Sequence, residues 1–433
     1  MENINMILEQ ETLPLYFIDR QELDDYGRGG SGPLAGVSYE WEDEQVVHLR
    51  THAARHAYGR VGQVLFTRDA AQAMSADVPM AVLVTAMGDG FAATVYRHGE
   101  RQDKVNYIPA REELYSRNKG ILELNILEGK TVAIVGLGSF GSQIAIELAK
   151  AGVGGFKLLD FDRVELHNLV RHTCTASELG RLKTDAIADA IWGKNPYAQV
   201  EKYPVDINKN LPLLDAVVRD SDLVIVATDN NTSRFNINDA LVRHGRVGIY
   251  GRAITRAEGG DVFRYHPGGP CYACLVGNGA VSSDEEITNE ASARRNGQIP
   301  AYMSAADAQA VVQVGLSTDI QPICNLMVKL ALMELSRGTA SGISSLEQEL
   351  VYDYYMWANR RESKYLNWHA MPNAGPMPTI LRWYGARIQR NPQCVACAGN
   401  AINIGGLDQG QEFATQLNDN YEGLELNVED STP

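Results

Sequence analysis

The sequence predicts an α/β fold with a mostly parallel sheet covered by helices on both faces, preceded by a small N-terminal α+β domain. Two observations support this prediction. Between about residues 116 and 340, short apolar runs rich in β-branched residues alternate with segments of helical periodicity. A glycine-rich turn joins the first of these strands to the first helix, as in open sheets that bind ligands at their strand ends.

The predicted elements follow one another in strand–helix order. TVAIVG predicts a buried strand at 131–136, and SQIAIELAKAG has the spacing of a helix that ends at Gly152. GFKLLDFD is the next predicted strand, and KTDAIADAIWGKNP is a helix closed by Asn195-Pro196. DLVIVATD and RVGIYGRA are further strands. This alternation favours a parallel sheet, because parallel strands need long crossover connections.

The 433 residues divide into four regions by composition and periodicity. In the N-terminal region, strand-like runs such as AVLVTAM stand between loops. The last region has no Lys or Arg, and about its final dozen residues are predicted to be disordered. The regions are an N-terminal α+β domain of unknown role (1–115), an α/β domain (116–340), an aromatic-rich extension (341–400) and an acidic tail (401–433).

Charge and hydropathy exclude some classes of function. A formal net charge of −15 argues against a protein that coats nucleic acid, since such proteins carry basic surfaces. No run of about 18 apolar residues is present, so no membrane span is expected. The first residues lack the basic and apolar regions of a signal peptide, and the cytoplasm is the expected location.

Three histidines near the N-terminus are regularly spaced. His48, His52 and His56 recur every four residues, which would line one face of a helix. A solvated face and a metal site both fit this pattern.

The glycine-rich turn has the spacing of a phosphate-binding loop. Gly136, Gly138 and Gly141 form a G-x-G-x-x-G motif between a strand and a helix, where backbone N–H groups approach phosphate oxygens. Asp160 ends the next strand and is placed to accept a hydrogen bond from a ribose hydroxyl. These features predict a nucleotide site and suit an NAD-dependent oxidoreductase equally well.

The residues after Asp160 favour a triphosphate. Asp160, Asp162, Asn168, Arg171 and Lys183 fall within 24 residues of one another. Farther along the chain, Asp229 ends a predicted strand. A dinucleotide site needs one acidic residue here, whereas a triphosphate also uses a bidentate arginine, a lysine and a carboxylate for Mg²⁺.

These motifs together resemble the ThiF/MoeB/HesA superfamily, whose members activate ubiquitin-like proteins and sulfur carriers. The matching features, in order, are the glycine loop, DFDRVELHNLVR, Gly180 followed by Lys183, TDN and PCYAC. They cover residues from about 111 to 340, with the second cysteine pair. The resemblance implies a Rossmann-like adenylation domain with a crossover loop at 275–318. It also implies that Mg-ATP adenylates the C-terminal Gly-Gly carboxylate of a small β-grasp protein, with release of pyrophosphate.

The resemblance implies roles for individual residues. Asp160 would bind the ribose, Asn168 and Arg171 would contact the phosphates, and Lys183 would contact the α-phosphate. Asp229 would hold Mg²⁺.

The resemblance further implies a homodimer. The segment YSRNKGILELNILEGK looks like the family's N-terminal helix, and its Arg117 would reach the phosphates of the partner subunit's ATP. The family usually has Arg-Gln at this point, where this chain has Arg117-Asn118.

Four of the six cysteines form two C-x-x-C pairs. Cys271 and Cys274 are matched far downstream by Cys394 and Cys397. Two such pairs supply the four thiolates of a structural zinc site, and the family uses two distant pairs in this way. A redox role is the weaker alternative, because neither pair opens a helix in a thioredoxin-like setting.

The sequence leaves the later transfer step open. Thioester-forming members of the family carry their nucleophilic cysteine in or just after the crossover loop, and this loop has no cysteine. Cys324 lies shortly after the loop and is a candidate nucleophile, although its apolar neighbours also fit a buried thiol. Cys174 fits a plain buried residue, and the serines of the loop leave an oxyester conceivable.

The preferred interpretation is an activating enzyme that passes a ubiquitin-like protein to a conjugating enzyme in a bacterial ubiquitination-like pathway. The stretch PTILRWYGARIQRNPQCVAC resembles the C-terminus of operon-encoded bacterial members linked to conjugation. The alternative is a sulfur-carrier adenylyltransferase of the thiamine or molybdopterin type. Rivals from other classes are an NAD-dependent oxidoreductase and a non-catalytic scaffold subunit.

Overall fold

The computed structural model divides the chain into two compact units, residues 1–117 and 118–433. The described residues are 14–30, 32–41, 45–53, 60–75, 77–102, 104–108, 114–118, 120–122, 124–254, 257–281, 315–340, 342–360 and 380–398.

The N-terminal unit is built on a mixed sheet. Among its described residues, the strands are β1 (Leu15–Asp19), β2 (Leu34–Trp41), β3 (Val46–Arg50), β4 (Arg60–Thr67), β5 (Met80–Met87), β6 (Gly90–Arg97), β7 (Glu100–Gln102) and β8 (Val105–Ile108), and the helices are α1 (Arg20–Gly29) and α2 (Ala70–Met74). The strands lie in the order β7-β6-β5-β4-β2-β3-β1-β8.

One residue of every two in the central strands packs into the core of this unit. Tyr16 and Ile18 of β1 are buried beside Val47 and Leu49 of β3, as the period of a half-buried strand requires. The prediction of a histidine-lined helix was wrong, because His48 lies within a strand. Val47 and Leu49 are buried on one face of that strand and His48 lies on the other, which is the period of a strand and not of a helix, and His56 lies outside the described residues.

The C-terminal unit contains an eight-stranded sheet among its described residues. The strands are β9 (Thr131–Val135), β10 (Gly155–Leu159), β11 (Gln199–Tyr203), β12 (Leu223–Val226), β13 (Val247–Ala253), β14 (Gly259–Tyr265), β15 (Tyr354–Ala358) and β16 (Arg382–Ala386). They lie in the order β11-β10-β9-β12-β13-β14-β15-β16. The first five strands of this order are parallel, and the last three pair antiparallel.

Helices cover both faces of this sheet, which confirms the predicted fold class. Two apolar cores result, one on each face. Among the described residues of this unit, the helices are α3 (Leu124–Leu127), α4 (Ser139–Ala151), α5 (Lys183–Trp192), α6 (Leu211–Arg219), α7 (Asn231–His244), α8 (Tyr272–Gly277), α9 (Ser317–Ser336) and α10 (Ser344–Glu349). Within the described ranges, no helix is long and apolar enough to cross a membrane.

Local signals explain where these helices begin and end. Gly152 closes α4 at a φ of 100°, a left-handed conformation that glycine adopts without strain. Asn210 and Asn230 accept hydrogen bonds from the first backbone N–H groups of α6 and α7. The predicted strands and helices around the glycine loop are therefore confirmed within a few residues.

Two strands from the C-terminal part of the chain extend the sheet beyond β14. β15 pairs with β14, and β16 pairs with β15. This pairing brings residues 387–398 next to α8, and so joins the second cysteine pair to the first.

Candidate nucleotide and metal sites

The carboxyl ends of three neighbouring parallel strands meet at one edge of the C-terminal sheet. β9 lies between β10 and β12, so the residues that follow these strands are close in space. Gly136 follows β9, Asp160 follows β10 and Asp229 follows β12. Open α/β sheets bind their ligands at this edge, and the sequence-predicted residues are brought together there.

The glycine loop depends on two of its glycines for steric reasons. Gly136 has a φ of 88°, and a Cβ there would lie 2.6 Å from the carbonyl oxygen of Ala227. A Cβ on Gly141 would lie 1.8 Å from the carbonyl oxygen of Gly136, so any side chain would push α4 away from the loop.

The third glycine opens the helix that follows. Gly138 is the N-cap of α4 and provides no side-chain cap, which leaves the first N–H groups of the helix facing the loop. A Cβ on Gly138 would meet no atom within 4 Å. An uncapped helix N-terminus of this kind attracts anions.

Asp160 is tied to the glycine loop. Its Oδ2 accepts a hydrogen bond from Leu137 N at 2.7 Å, and its Oδ1 accepts one from Asp162 N at 2.8 Å. Burial raises the pKa of Asp160, and the nearby charge of Lys183 opposes that rise. Each carboxylate oxygen can accept a second hydrogen bond, so Asp160 keeps the capacity to bind a hydroxyl.

Lys183 is held at the start of α5. Its ammonium donates to Asp162 Oδ2 at 2.7 Å, and its backbone N–H donates to Asp162 O at 3.0 Å. Only 9% of the Lys183 side chain is exposed, against 49% for Asp162. Asp162 thus fixes the position of Lys183 from the solvent side.

Arg171 is a half-buried cation beside the loop. Burial lowers the pKa of Arg171, and among the described residues no acidic side chain forms an ion pair with it. A partly buried charge without a counter-charge is unfavourable, so this guanidinium is suited to bind an anion. Asn168 lies three residues earlier, and its Oδ1 accepts a hydrogen bond from Glu165 N at 3.0 Å.

The turn after β12 carries Asp229. This residue is exposed and directly precedes the N-cap of α7. Arg234 is 2% exposed and donates to Asn231 Oδ1 at 3.1 Å and to Thr228 O at 2.8 Å. These hydrogen bonds shape the turn around Asp229.

His172 and Gln143 are two residues of the site that the sequence did not indicate. The His172 ring contacts Leu137 O of the glycine loop at 2.6 Å, and Gln143 Nε2 donates to Arg171 O at 3.2 Å. The contact between His172 and Leu137 joins positions 35 residues apart. The only signal in the sequence was that His172 directly follows a predicted phosphate ligand.

The four paired cysteines form a compact cluster. Distances between Sγ atoms are 3.8 Å for Cys271–Cys274, 3.6 Å for Cys271–Cys394 and 3.5 Å for Cys274–Cys397. All four sulfurs lie within 4.8 Å of one another. A tetrahedral ion with Zn–S bonds of about 2.3 Å separates its sulfurs by about 3.8 Å, so this donor set fits zinc.

Close packing of the four sulfurs shifts their acidities in opposite directions. Hydrogen bonds from Cys271 and Cys274 lower the pKa of Cys394 to about 4, whereas Cys271, hydrogen-bonded to Cys274, has a raised pKa. The lowered pKa of Cys394 favours its thiolate, which is the form that binds metal.

The two remaining cysteines are buried. Cys324 is 2% exposed within α9, and burial raises its pKa to about 12. Cys174 is 7% exposed, and burial likewise raises its pKa to about 12. A thiol in this state is a poor nucleophile. Residues 282–314, which include most of the predicted crossover loop and its serines, lie outside the described part of the chain.

Arg117 lies in a short 3₁₀ turn, Ser116–Asn118, where the first unit ends. Its side chain is exposed. The role of Arg117 at the nucleotide of a partner subunit stays a prediction.

Comparisons with known proteins match the part of the chain that carries these sites. The model of the ThiF family matches residues 116–349, which is more than half of the chain. The Adenylyltransferase and sulfurtransferase MOCS3 of Culex quinquefasciatus is 31% identical over 211 residues, 47% of this chain and 47% of that protein. The Molybdopterin-synthase adenylyltransferase of Escherichia coli is 38% identical over 151 residues, 34% of this chain and 59% of that protein.

The Sulfur carrier protein adenylyltransferase of Thermus thermophilus is 35% identical over 155 residues, 34% of this chain and 56% of that protein. The chain spans about half the length of the curated relatives it matches. Among solved structures, that of Escherichia coli MccB with ATP is 18% identical with a TM-score of 0.47, covering 67% of this chain and 77% of that chain.

Proposed function

The chain belongs to the ThiF family, and from that membership we propose that it adenylates the C-terminal glycine carboxylate of a small carrier protein with Mg-ATP. The observation that carries the proposal is the half-buried Arg171 beside the glycine loop, for which the described residues offer no acidic partner. Lys183 supplies a second cation at the same edge of the sheet. Two cations and a further carboxylate at Asp229 suit a triphosphate better than the pyrophosphate of NAD.

The reaction brings two anions together, and the proposed roles follow from that difficulty. A carboxylate oxygen of the carrier attacks the α-phosphorus of ATP, a new P–O bond forms, and the bond to the pyrophosphate oxygen breaks. Arg171 and Lys183 would neutralise charge on the phosphates, and the glycine loop would fix their position. Asp160 would hold the ribose, and Asn168 would assist at the phosphates.

Asp229 is the residue that would hold Mg²⁺. Its exposed carboxylate stands at the carboxyl edge of the sheet, and carboxylates joined to substrate phosphates are the usual protein ligands of this ion. When bound, Mg²⁺ would reduce the negative charge of the triphosphate.

The four-cysteine cluster would hold a structural zinc ion. Cys271 and Cys274 lie at the start of α8, whereas Cys394 and Cys397 follow β16. An ion shared by both pairs would fasten the C-terminal strands to the adenylation domain.

The proposed carrier is a sulfur carrier or a ubiquitin-like protein that ends in glycine. The names of the relatives support the sulfur-carrier alternative better than transfer to a conjugating enzyme. The conjugation pathway, with a conjugating enzyme as partner, keeps only the resemblance of the C-terminal stretch in its favour. A homodimer in which Arg117 reaches the partner subunit's nucleotide remains part of the proposal.

ATP–pyrophosphate exchange tests the proposal. Purified chain is incubated with ATP, labelled pyrophosphate and candidate β-grasp proteins that end in Gly-Gly, with the same carriers lacking both glycines as controls. We expect exchange with an intact carrier and none with its truncated form. Calorimetric binding of NAD in place of ATP, with no exchange for any carrier, would contradict the proposal.

The fate of the adenylate separates the two carrier classes. Mass spectrometry of the carrier after addition of a persulfide donor and a thiol reductant is expected to show a C-terminal thiocarboxylate if the chain serves sulfur transfer, because the persulfide displaces AMP and the thiol then cleaves the acyl disulfide. A thioester to a conjugating enzyme would instead support the conjugation pathway.

A further inference from the structure

The two polar groups of Leu137 in the glycine loop are both fixed by hydrogen bonds. Its N–H donates to Asp160, and its carbonyl oxygen lies 2.6 Å from His172 Nε2. Leu137 stands between Gly136 and Gly138, so these contacts restrain the peptide units of the predicted phosphate-binding loop. Asp160 is expected from the resemblance, whereas no role has been assigned to His172.

The partners of His172 define its tautomer. Leu137 O can only accept a hydrogen bond, so Nε2 carries the proton, and Nδ1 accepts from Cys174 N at 3.1 Å. Burial lowers the pKa of His172 to about 4, which keeps the ring neutral at physiological pH. The site therefore requires a side chain with a donor and an acceptor at these two points.

The residue before His172 is anchored as well. Arg171 O accepts from Gln143 Nε2 at 3.2 Å, and Gln143 lies within α4, the helix that begins at the glycine loop. The backbone of Arg171 is thus held by α4 on one side, and by the loop through His172 on the other. These contacts fix the backbone from which the Arg171 side chain extends, and the guanidinium of Arg171 has no acidic partner among the described residues.

We propose that His172 and Gln143 are positioning residues that lock Arg171 to the glycine loop, so that both engage the same phosphate chain. This inference rests on the proposed nucleotide site. Neither side chain needs to touch the nucleotide. Their effect is to hold two phosphate-binding groups in one geometry before ATP arrives, which lowers the cost of ordering them on binding.

Four variants of the full chain test the inference through Mg-ATP binding by calorimetry and steady-state exchange kinetics. His172→Leu removes both hydrogen bonds, whereas His172→Gln keeps an amide donor and a carbonyl acceptor. Gln143→Met removes the hydrogen bond to Arg171 O and keeps a side chain of similar volume. His266→Leu is the matched control, because His266 bonds Glu334 at the opposite edge of the sheet, where β14 ends.

We expect His172→Leu to weaken ATP binding about tenfold or more, since it leaves a buried carbonyl without a donor. Gln143→Met is expected to weaken it about threefold, while His172→Gln and His266→Leu stay within about twofold of wild type. The KM for the carrier should not change. Should His172→Leu fail to fold, Gln143→Met and His172→Gln decide the question.

Wild-type ATP affinity in both His172→Leu and Gln143→Met would overturn the inference and leave the proposed function intact. If His172→Leu does not fold, wild-type ATP affinity in Gln143→Met alone would overturn the inference. Equal loss of binding in His172→Gln and His172→Leu would overturn it too. Failure of the wild-type chain to bind ATP would remove the proposed function, and the inference with it.

Discussion

Replacing Lys183 with methionine should impair the nucleotide site and change the free energy of unfolding only slightly. Methionine keeps an apolar stem in a position where only 9% of the side chain is exposed, and it removes the ammonium. The Asp162 carboxylate left behind is 49% exposed, so loss of the ion pair should cost at most about 1 kcal/mol of unfolding free energy.

The expected loss of activity is much larger. A unit charge about 4 Å from a phosphate oxygen contributes about 4 kcal/mol at an effective dielectric constant of about 20, as an upper bound. Removal of one such group typically slows a reaction by about 100-fold to 1,000-fold. We therefore expect carrier-dependent ATP–pyrophosphate exchange to fall at least about 100-fold.

Lys202→Met is the matched control for this variant. Lys202 also pairs with an aspartate of α5, Asp185, but on the exposed side of β11. Exchange in this control should stay near the wild-type rate. Exchange within about threefold of wild type in Lys183→Met, or equal losses in both variants, would refute the role of Lys183.

Three further predictions concern the loop, the metal centre and a buried carboxylate. Gly141→Ala should lower the melting temperature and abolish ATP binding, because its Cβ would lie 1.8 Å from a backbone oxygen. The control Gly138→Ala should melt near the wild-type temperature, because its Cβ would meet no atom within 4 Å. Equal melting temperatures for the two variants would contradict this reasoning. Elemental analysis should find zinc in the wild-type chain and in the control Cys174→Ser, but not in Cys394→Ser. A wild-type chain without zinc would contradict the metal site. Burial alone would raise the pKa of Glu334, but hydrogen bonds from His266 and Arg337 outweigh it and lower the pKa from 4.5 to about 2. That carboxylate therefore stabilises the fold by about 3 kcal/mol above pH 4.5, and loses this contribution as the pH falls towards 2. In urea unfolding, the stability gap between wild type and Glu334→Gln should be smaller at pH 3 than at pH 6, and a constant gap would contradict the assignment.

Local signals made the nucleotide-binding half of the fold predictable. The strand TVAIVG, the glycine loop and the end of α4 at Gly152 all depend on neighbouring residues, and the structure reproduces them. The candidate residues Asp160 and Lys183 were found for the same reason, since they occur at fixed offsets from the loop.

Long-range pairing was not predictable in the same way. The sequence predicted an extension at residues 341–400, whereas β15 continues the central sheet by pairing with β14, and β16 by pairing with β15. No local pattern specifies a partner strand about a hundred residues away. The spacing of His48 and His52 fitted a helix by chance, because the alternating burial of β3 depends on its neighbours in the sheet.

The roles proposed for His172 and Gln143 could not be predicted from the sequence for a related reason. Both side chains contact backbone carbonyl groups, and since every residue has one, the sequence does not show which carbonyl a side chain will reach. Only the fold brings the imidazole to Leu137 and the amide to Arg171.

Mass spectrometry of a carrier protein after incubation with this chain and Mg-ATP is the most direct test of the central claim. The account predicts a carrier whose C-terminal glycine gains one AMP, with release of pyrophosphate, and no such product from the Lys183→Met chain. Unmodified carriers throughout, with ATP bound but not consumed, would contradict it.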